Sequence, residues 1–140
     1  MSLTGPYFEV RSYRVTTERT AEGRSPARAE VELLIGEDAV AKEASGAGPV
    51  HALDNALRSC LAGAFPELDK VRLSDYRVSV VDAEKGTRAH VRVLVRATDG
   101  EESWDAGCVS DNIIDASFEA LCSTVVMGIM RARADARASA

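Results

Sequence analysis

The order of secondary-structure signals repeats along the chain, and that repeat restricts the fold more than anything else does. The first stretch, about residues 7–68, reads as three strands followed by one helix. Tyr7-Phe8-Glu9-Val10-Arg11-Ser12-Tyr13-Arg14-Val15-Thr16 alternates aromatic and β-branched residues with charged ones, the pattern of a half-buried strand. Thr20 to Pro26 is polar, contains Gly23 and Pro26, and predicts a loop. Ala27, Ala29, Val31, Leu33 and Ile35 then share one face of a second strand, with Arg28, Glu30 and Glu32 on the other. Gly36-Glu37-Asp38 predicts a tight turn, and Ala39 to Ala44 a short returning strand. Gly46-Ala47-Gly48-Pro49 opens a helix, because proline suits a first helical position whose N–H would be unpaired anyway. Val50, Leu53, Leu57, Cys60, Leu61 and Ala64 recur at three- and four-residue spacing and form one apolar stripe, with Pro66 past its end.

The second stretch, about 69–130, repeats this order. Leu73 to Val81 predicts a strand with Tyr76, Val78 and Val80 on one face, followed by a polar loop around Lys85-Gly86. Ala89, Val91, Val93 and Val95 alternate with His90, Arg92 and Arg96. Asp99-Gly100 signals a turn, and Glu102 to Val109 a third strand. Ser110 or Asp111 is expected to cap a helix with the stripe Ile114, Phe118, Leu121, Cys122, Val125 and Ile129. The Ala/Arg-rich tail 131–140 is expected to fray.

The two stretches can be overlaid. Tyr13-Arg14-Val15 matches Tyr76-Arg77-Val78, and Arg28-Ala29-x-Val31 matches Arg88-Ala89-x-Val91. The expected class is α+β: two pseudo-twofold-related βββα units, each a small antiparallel sheet covered by one helix. Units this small need a partner surface, supplied by each other or by a second chain.

Composition narrows the function. The chain has 140 residues, 46% hydrophobic but only 5% aromatic, so its core must be aliphatic. A formal net charge of −5 favours neither a nucleic-acid backbone nor an anionic membrane surface. The sequence shows no apolar run near the roughly 20 residues that span a bilayer and no signal-peptide pattern. Met1-Ser2-Leu3 reads as a cloning remnant. Cys60, Cys108 and Cys122 lack C-x-x-C spacing and lie in apolar stretches, which predicts buried free thiols in a reducing, cytoplasmic setting. Only His51 and His90 offer nitrogen ligands, so no metal site is expected.

Gly46-x-Gly48-Pro49 is the most informative local motif. Glycines allow close approach of a ligand or of backbone, and the helix after them points free N–H groups and partial positive charge at that spot. A plain chain reversal explains the same residues. At the equivalent helix start of the second unit, Asp111 would repel a carboxylate, so the first unit is the better anion candidate. Asp75 beside Tyr76 offers a carboxylate for an ammonium group and an aromatic wall, or simply a strand entry next to a core tyrosine. His51 lies one turn into the first helix, as a ligand contact or as an exposed helical histidine. His90 reads as surface, Trp104 as core or interface, and the acid pairs Glu37-Asp38 and Glu101-Glu102 as solvated turns. No serine elbow, phosphate loop or paired metal-binding histidines occur, and no catalytic residue is expected.

Four ordered blocks resemble a known family. They are Gly46-x-Gly48-Pro49-Val50-x-Ala52-Leu53-Asp54-x-Ala56-Leu57-Arg58, Leu73-x-Asp75-Tyr76-Arg77-Val78, Gly86-Thr87-x-Ala89-x-Val91-Arg92-Val93-Leu94, and Asp99-Gly100 with Trp104 and Val109-Ser110-x-Asn112-Ile113-Ile114-Asp115-Ala116-Ser117. Together they are similar to the C-terminal regulatory domain of the 2-isopropylmalate synthase and citramalate synthase family, closer to the citramalate branch, over roughly Phe8 to Met130.

The resemblance implies a longer parent. Its N-terminal (β/α)₈ barrel condenses acetyl-CoA with a 2-oxo acid on a divalent metal, and a barrel of roughly 200 residues or more has no room in this chain. It implies a homodimer that binds an end-product amino acid, isoleucine or leucine, and feeds back on the barrel. The fragment itself needs no cofactor. Carried over by position, the effector site falls on Gly46, Gly48 and His51, with Leu73, Tyr76 and Val80 as a wall and Asp75 adjacent. His51 stands where the family holds a smaller residue. Cys108 stands where a glycine is expected, with Gly107 one step early. An alternative is a dimerisation-only module that has lost its effector. A small independent enzyme using His51 and Asp75 has only those residues in its favour.

Overall fold

The computed structural model describes residues 5–139; the Met1-Ser2-Leu3 opening lies outside them. The chain divides into two compact units between Pro66 and Glu67. Each contains a three-stranded antiparallel sheet and one long helix, as the α+β expectation requires.

In the first unit, β1 (Glu9–Thr16), β4 (Ala27–Ile35) and β5 (Asp38–Gly46) pair in the order β1-β4-β5. Ala27, Ala29, Val31 and Leu33 are buried, which is the face that the alternation predicts. Gly36 takes φ 65°, a left-handed value that suits glycine in the turn between β4 and β5. The expected loop 20–26 is instead folded in part as a two-stranded ribbon, β2 (Arg19–Thr20) with β3 (Gly23–Arg24). Thr20 Oγ1 closes that ribbon by accepting from the Glu22 amide, 3.2 Å away.

Helix α1 (Pro49–Leu61) covers β4 and β5 and barely reaches β1. Its buried residues are Ala52, Leu53, Ala56, Leu57, Cys60 and Leu61. The stripe is thus rotated from the predicted one: Val50 is only half-buried, and Ala64 lies beyond the helix and is exposed. The small Ala52 and Ala56 let the helix sit close to the sheet. The Cys60 thiol donates to the Val31 carbonyl at 3.4 Å, and burial raises its pKa.

In the second unit, β6 (Arg72–Val80), β7 (Val91–Thr98) and β8 (Ser103–Ser110) pair in the order β6-β7-β8. Helix α2 (Ile113–Ser139) covers β7 and β8. Phe118, Leu121, Cys122, Val125 and Ile129 are buried, as the stripe predicts. By length and composition alone the Ile113–Ala138 segment could cross a membrane, contrary to the sequence expectation. In the fold, 56% of its apolar window is buried, the placement of a core helix. Trp104 is buried and its indole N–H donates to the Thr124 carbonyl at 2.9 Å.

The tail does not fray at Arg131. Its guanidinium stacks 5.0 Å over the Trp104 ring and pairs with Glu102. Arg133 lies 3.5 Å from Glu67. These contacts hold α2 helical to Ser139. The helix cap also differs from expectation. Asn112, rather than Ser110 or Asp111, accepts from the amides of Ile114 and Asp115 at 2.9 and 3.2 Å. Cys108 is half-buried, not buried, because β8 is an edge strand.

The two units repeat each other in register, with one revision. Tyr13 stands opposite Val31, and Tyr76 stands opposite Val95. Ala29 and Val31 therefore correspond to Val93 and Val95, not to Ala89 and Val91. Arg88 belongs to a 3₁₀ segment, Ala83–Arg88, that occupies the loop before β7. Both first strands carry an irregularity at the same place, between Val10 and Ser12 and between Leu73 and Asp75.

That loop is held by Asp82. One carboxylate oxygen accepts from the His90 amide; the other lies 3.0 Å from His90 Nδ1 and 3.2 Å from Lys85 Nζ. The amide chiefly, then the His90 ring and Lys85, hold the Asp82 pKa down to about 2. His90 is accordingly half-buried and engaged, not a free surface residue.

Two outcomes follow. Leu57→Ala and Leu121→Ala, each removing a fully buried side chain, should cost about 2–5 kcal/mol in urea unfolding. Because the folded Asp82 pKa is depressed, its contribution is present above the ordinary carboxylate range and lost as pH falls toward about 2. Asp82→Asn should lower the melting temperature at neutral pH and flatten its decline on acidification. An unchanged acid limb would contradict this.

Candidate functional site

The opening of α1 is shaped by Gly46. A Cβ at this position would lie 2.4 Å from the Ala52 nitrogen and 2.8 Å from the His51 carbonyl carbon. Backbone meets backbone, so no side chain fits. Gly48 differs: it is the N-cap, in extended conformation (φ −141°, ψ 178°), and a Cβ there would meet nothing within 4 Å. Glycine at 46 is a packing requirement; glycine at 48 leaves the helix end uncovered.

His51 is exposed, but its ring is committed. Its Nδ1 accepts the Ala47 amide at 3.0 Å, a side chain in the first turn reaching back to the chain that enters the helix. The bond assigns the acceptor role to Nδ1 and leaves Nε2 as the donor of the neutral ring. Among the described residues, the amides of Val50 and His51 meet no side-chain cap. No acidic residue lies in this first turn.

The start of α2 is the opposite case. Asn112 takes up two of its amides, and Asp115 adds negative charge in the first turn. Asp111 is exposed and caps nothing. The asymmetry between the two helix starts is therefore present, and Asn112 carries it more than Asp111 does.

The other group of predicted residues lies on β6. Tyr76, Val78 and Val80 stand opposite Val95, Val93 and Val91, on the face that α2 covers farther along the sheet. Because α2 lies over β7 and β8, these three remain exposed, at 40%, 40% and 55%. Leu73 joins them through the irregularity beside it. It stands opposite Ala97, on the same face, although strict alternation would turn it away. Leu73, Tyr76 and Val80 thus share one apolar wall.

Tyr76 is fixed at its far end, where its hydroxyl lies 2.8 Å from the hydroxyl of the fully buried Ser117. Sequence reasoning misses Ser117, because a pairing 41 residues apart leaves no local pattern. Asp75 is on the opposite face, across from Arg96, and pairs with Arg77 at 2.7 Å. It also accepts the Tyr76 amide at 3.0 Å. Its carboxylate is turned away from the wall that the other three build.

Burial pushes the Cys122 thiol far above its ordinary range, away from nucleophilic use. Among the described residues, no group of three or more His, Cys, Asp or Glu is placed to hold a metal ion. The first unit thus presents an uncapped helix start, and the second an open apolar wall.

Residues 2–129 match the family model described as the LeuA allosteric (dimerisation) domain, and the chain belongs to that family. The (R)-citramalate synthase of Streptomyces coelicolor is 39% identical over 126 residues, covering 90% of this chain and 24% of that protein. The (R)-citramalate synthase of Geobacter sulfurreducens is 41% identical over 120 residues, covering 85% and 23%. That of Aquifex aeolicus is 37% identical over 130 residues, covering 92% and 25%. The chain spans about a quarter of the length of these curated relatives.

The two glycines should separate on substitution. Gly46→Ala should destabilise by roughly 1–3 kcal/mol, since backbone must shift to admit a methyl. Gly48→Ser should gain a few tenths of a kcal/mol by supplying the missing cap. Equal melting temperatures for the two variants would contradict this distinction.

Proposed function

We propose that this domain senses a branched-chain amino acid, isoleucine first and leucine second, and dimerises as part of a longer citramalate or 2-isopropylmalate synthase. The catalytic barrel of that parent, with its divalent metal and acetyl-CoA, would lie outside this chain, in the cytoplasm. The effector's carboxylate takes the amides at the start of α1, beside Gly46, Gly48 and His51. By position, the resemblance also assigns Leu73, Tyr76 and Val80 of the second unit to the effector, an apolar wall suited to an aliphatic side chain. Asp75, on the opposite face and paired with Arg77, stands outside that wall.

The observation that carries this reading is the difference between the helix starts: α1 has no side-chain cap and no acid in its first turn, whereas α2 has both. An amino acid's carboxylate suits the first and not the second. Membership of an allosteric, dimerising family supports the regulatory role. The relatives' name, (R)-citramalate synthase, supports the citramalate branch, and the family resemblance implies isoleucine as the effector of that branch. The uncovered apolar strip on β6 supports a dimer, since single exposed residues are ordinary but a contiguous strip calls for a partner.

Thermal denaturation with isoleucine, leucine and valine tests the proposal. An effector at about 100 times its Kd should stabilise by about 2.7 kcal/mol. Gly48→Asp should keep the fold and lose that shift, because it caps the helix and repels the carboxylate. Tyr76→Ala should weaken it through the wall. A dimer by light scattering that responds to none of the three amino acids would establish the dimerisation-only alternative instead.

A further inference from the structure

Arg19 and Arg24 stand directly opposite each other on the β2–β3 ribbon. Like charges in that position destabilise a strand pair unless something neutralises them. The first unit offers an instructive comparison. Glu30 and Glu43 are also opposed, on β4 and β5. There, Arg14 stands across from Glu30 on the other side and Arg28 pairs with Glu43. Charge of the opposite sign is built in.

The ribbon has no such compensation. Neither Arg19 nor Arg24 forms an ion pair among those of the described residues, whereas six other arginines do. Glu22, in the turn between them, is taken by the Thr20 hydroxyl at 2.9 Å. Both arginines line one cavity of about 320 Å³, together with Ser25, Gly48 and Pro49. Glu18 is the one acidic residue on its wall, and it pairs with neither guanidinium. The cavity thus holds two forked donors, a serine hydroxyl and the uncapped end of α1, with one carboxylate at its rim.

We propose that this cavity binds a small oxyanion carrying two negative charges, gripped by Arg19 and Arg24. Guanidinium forks match the oxygen geometry of phosphate and of carboxylate. A dianion would neutralise both arginines, whereas a single carboxylate would leave one uncompensated. The site lies wholly within the first unit and asks nothing of an aliphatic side chain, so it stands whether or not an amino acid binds. Because its edge includes Gly48, an anion held there would oppose a second carboxylate at the same helix start.

Titration of the 140-residue chain with inorganic phosphate and, separately, with succinate tests this, followed by amide chemical shifts at constant ionic strength in sodium chloride. Saturable shifts at residues 19, 24 and 48 are expected for at least one anion at millimolar concentration, and the arm that saturates tells phosphate from dicarboxylate. The double variant Arg19→Gln/Arg24→Gln should keep the native spectrum of α1 and lose roughly tenfold or more in affinity. Arg88→Gln, an exposed arginine elsewhere, should bind unchanged. Linear, non-saturating shifts with both anions, or a double variant that binds as well as the parent sequence, would overturn the proposal. Isoleucine added to a separate, anion-free sample distinguishes this site from effector sensing. No isoleucine response there would count against effector sensing and leave the oxyanion site intact.

Discussion

A helix with its side chains is about 10–12 Å across, and strands lie about 4.7–4.9 Å apart. One helix therefore covers two strands of a three-stranded sheet and leaves the third. Both units obey this limit. α1 lies over β4 and β5, α2 over β7 and β8, and in each the first strand is the least covered. On β6 that face presents Tyr76, Val78 and Val80 to solvent. The incomplete roof is the reason a domain this small needs further partners, and it is also the reason an apolar wall is available to a ligand.

How closely the roof sits depends on the junction between sheet and helix. In the first unit, Gly46 closes the gap between the end of β5 and the first turn of α1 to backbone contact. Its counterpart by register is Ser110: Gly46 faces Ala27 on β4, and Ser110 faces Val91 on β7. Ser110 uses its hydroxyl to accept the Asn112 amide, 3.0 Å away, and Asn112 then closes the helix end. One duplicated junction has thus become two different objects. The first is bare and tightly packed; the second is sealed by its own side chains.

Much of this architecture was legible in the chain. Period-two alternation in Ala27-x-Ala29-x-Val31-x-Leu33 and the helical spacing of Phe118, Leu121, Val125 and Ile129 are strong signals, and each marks the face it was expected to mark. Other features depended on contacts between distant residues. The tail beyond Met130 looks like an unanchored Ala/Arg run, yet Arg131 meets Trp104 and Glu102, Arg133 meets Glu67, and α2 runs on to Ser139. The offset of β7 arises because Arg88 belongs to a 3₁₀ segment that no simple turn motif announces. At the candidate site, the glycine turn could be found from composition. The commitment of His51 to Ala47, the anchoring of Tyr76 by Ser117 and the outward turn of Asp75 could not, since each depends on geometry rather than on spacing.

The irregularity beside Ser74 has a consequence for how such a wall can vary over evolutionary time. Leu73 faces the same way as Tyr76 and Val80 because an extra residue stands between Leu73 and Asp75, not because of what that residue is. Exchanging one side chain for another along β6 reshapes the lining while leaving its direction intact. Losing Ser74 would remove the bulge and place Leu73 two residues before Tyr76, still on the same face. The direction of the wall therefore survives both exchange of its side chains and loss of the bulged residue. The matching irregularity between Val10 and Ser12 gives the first half the same device.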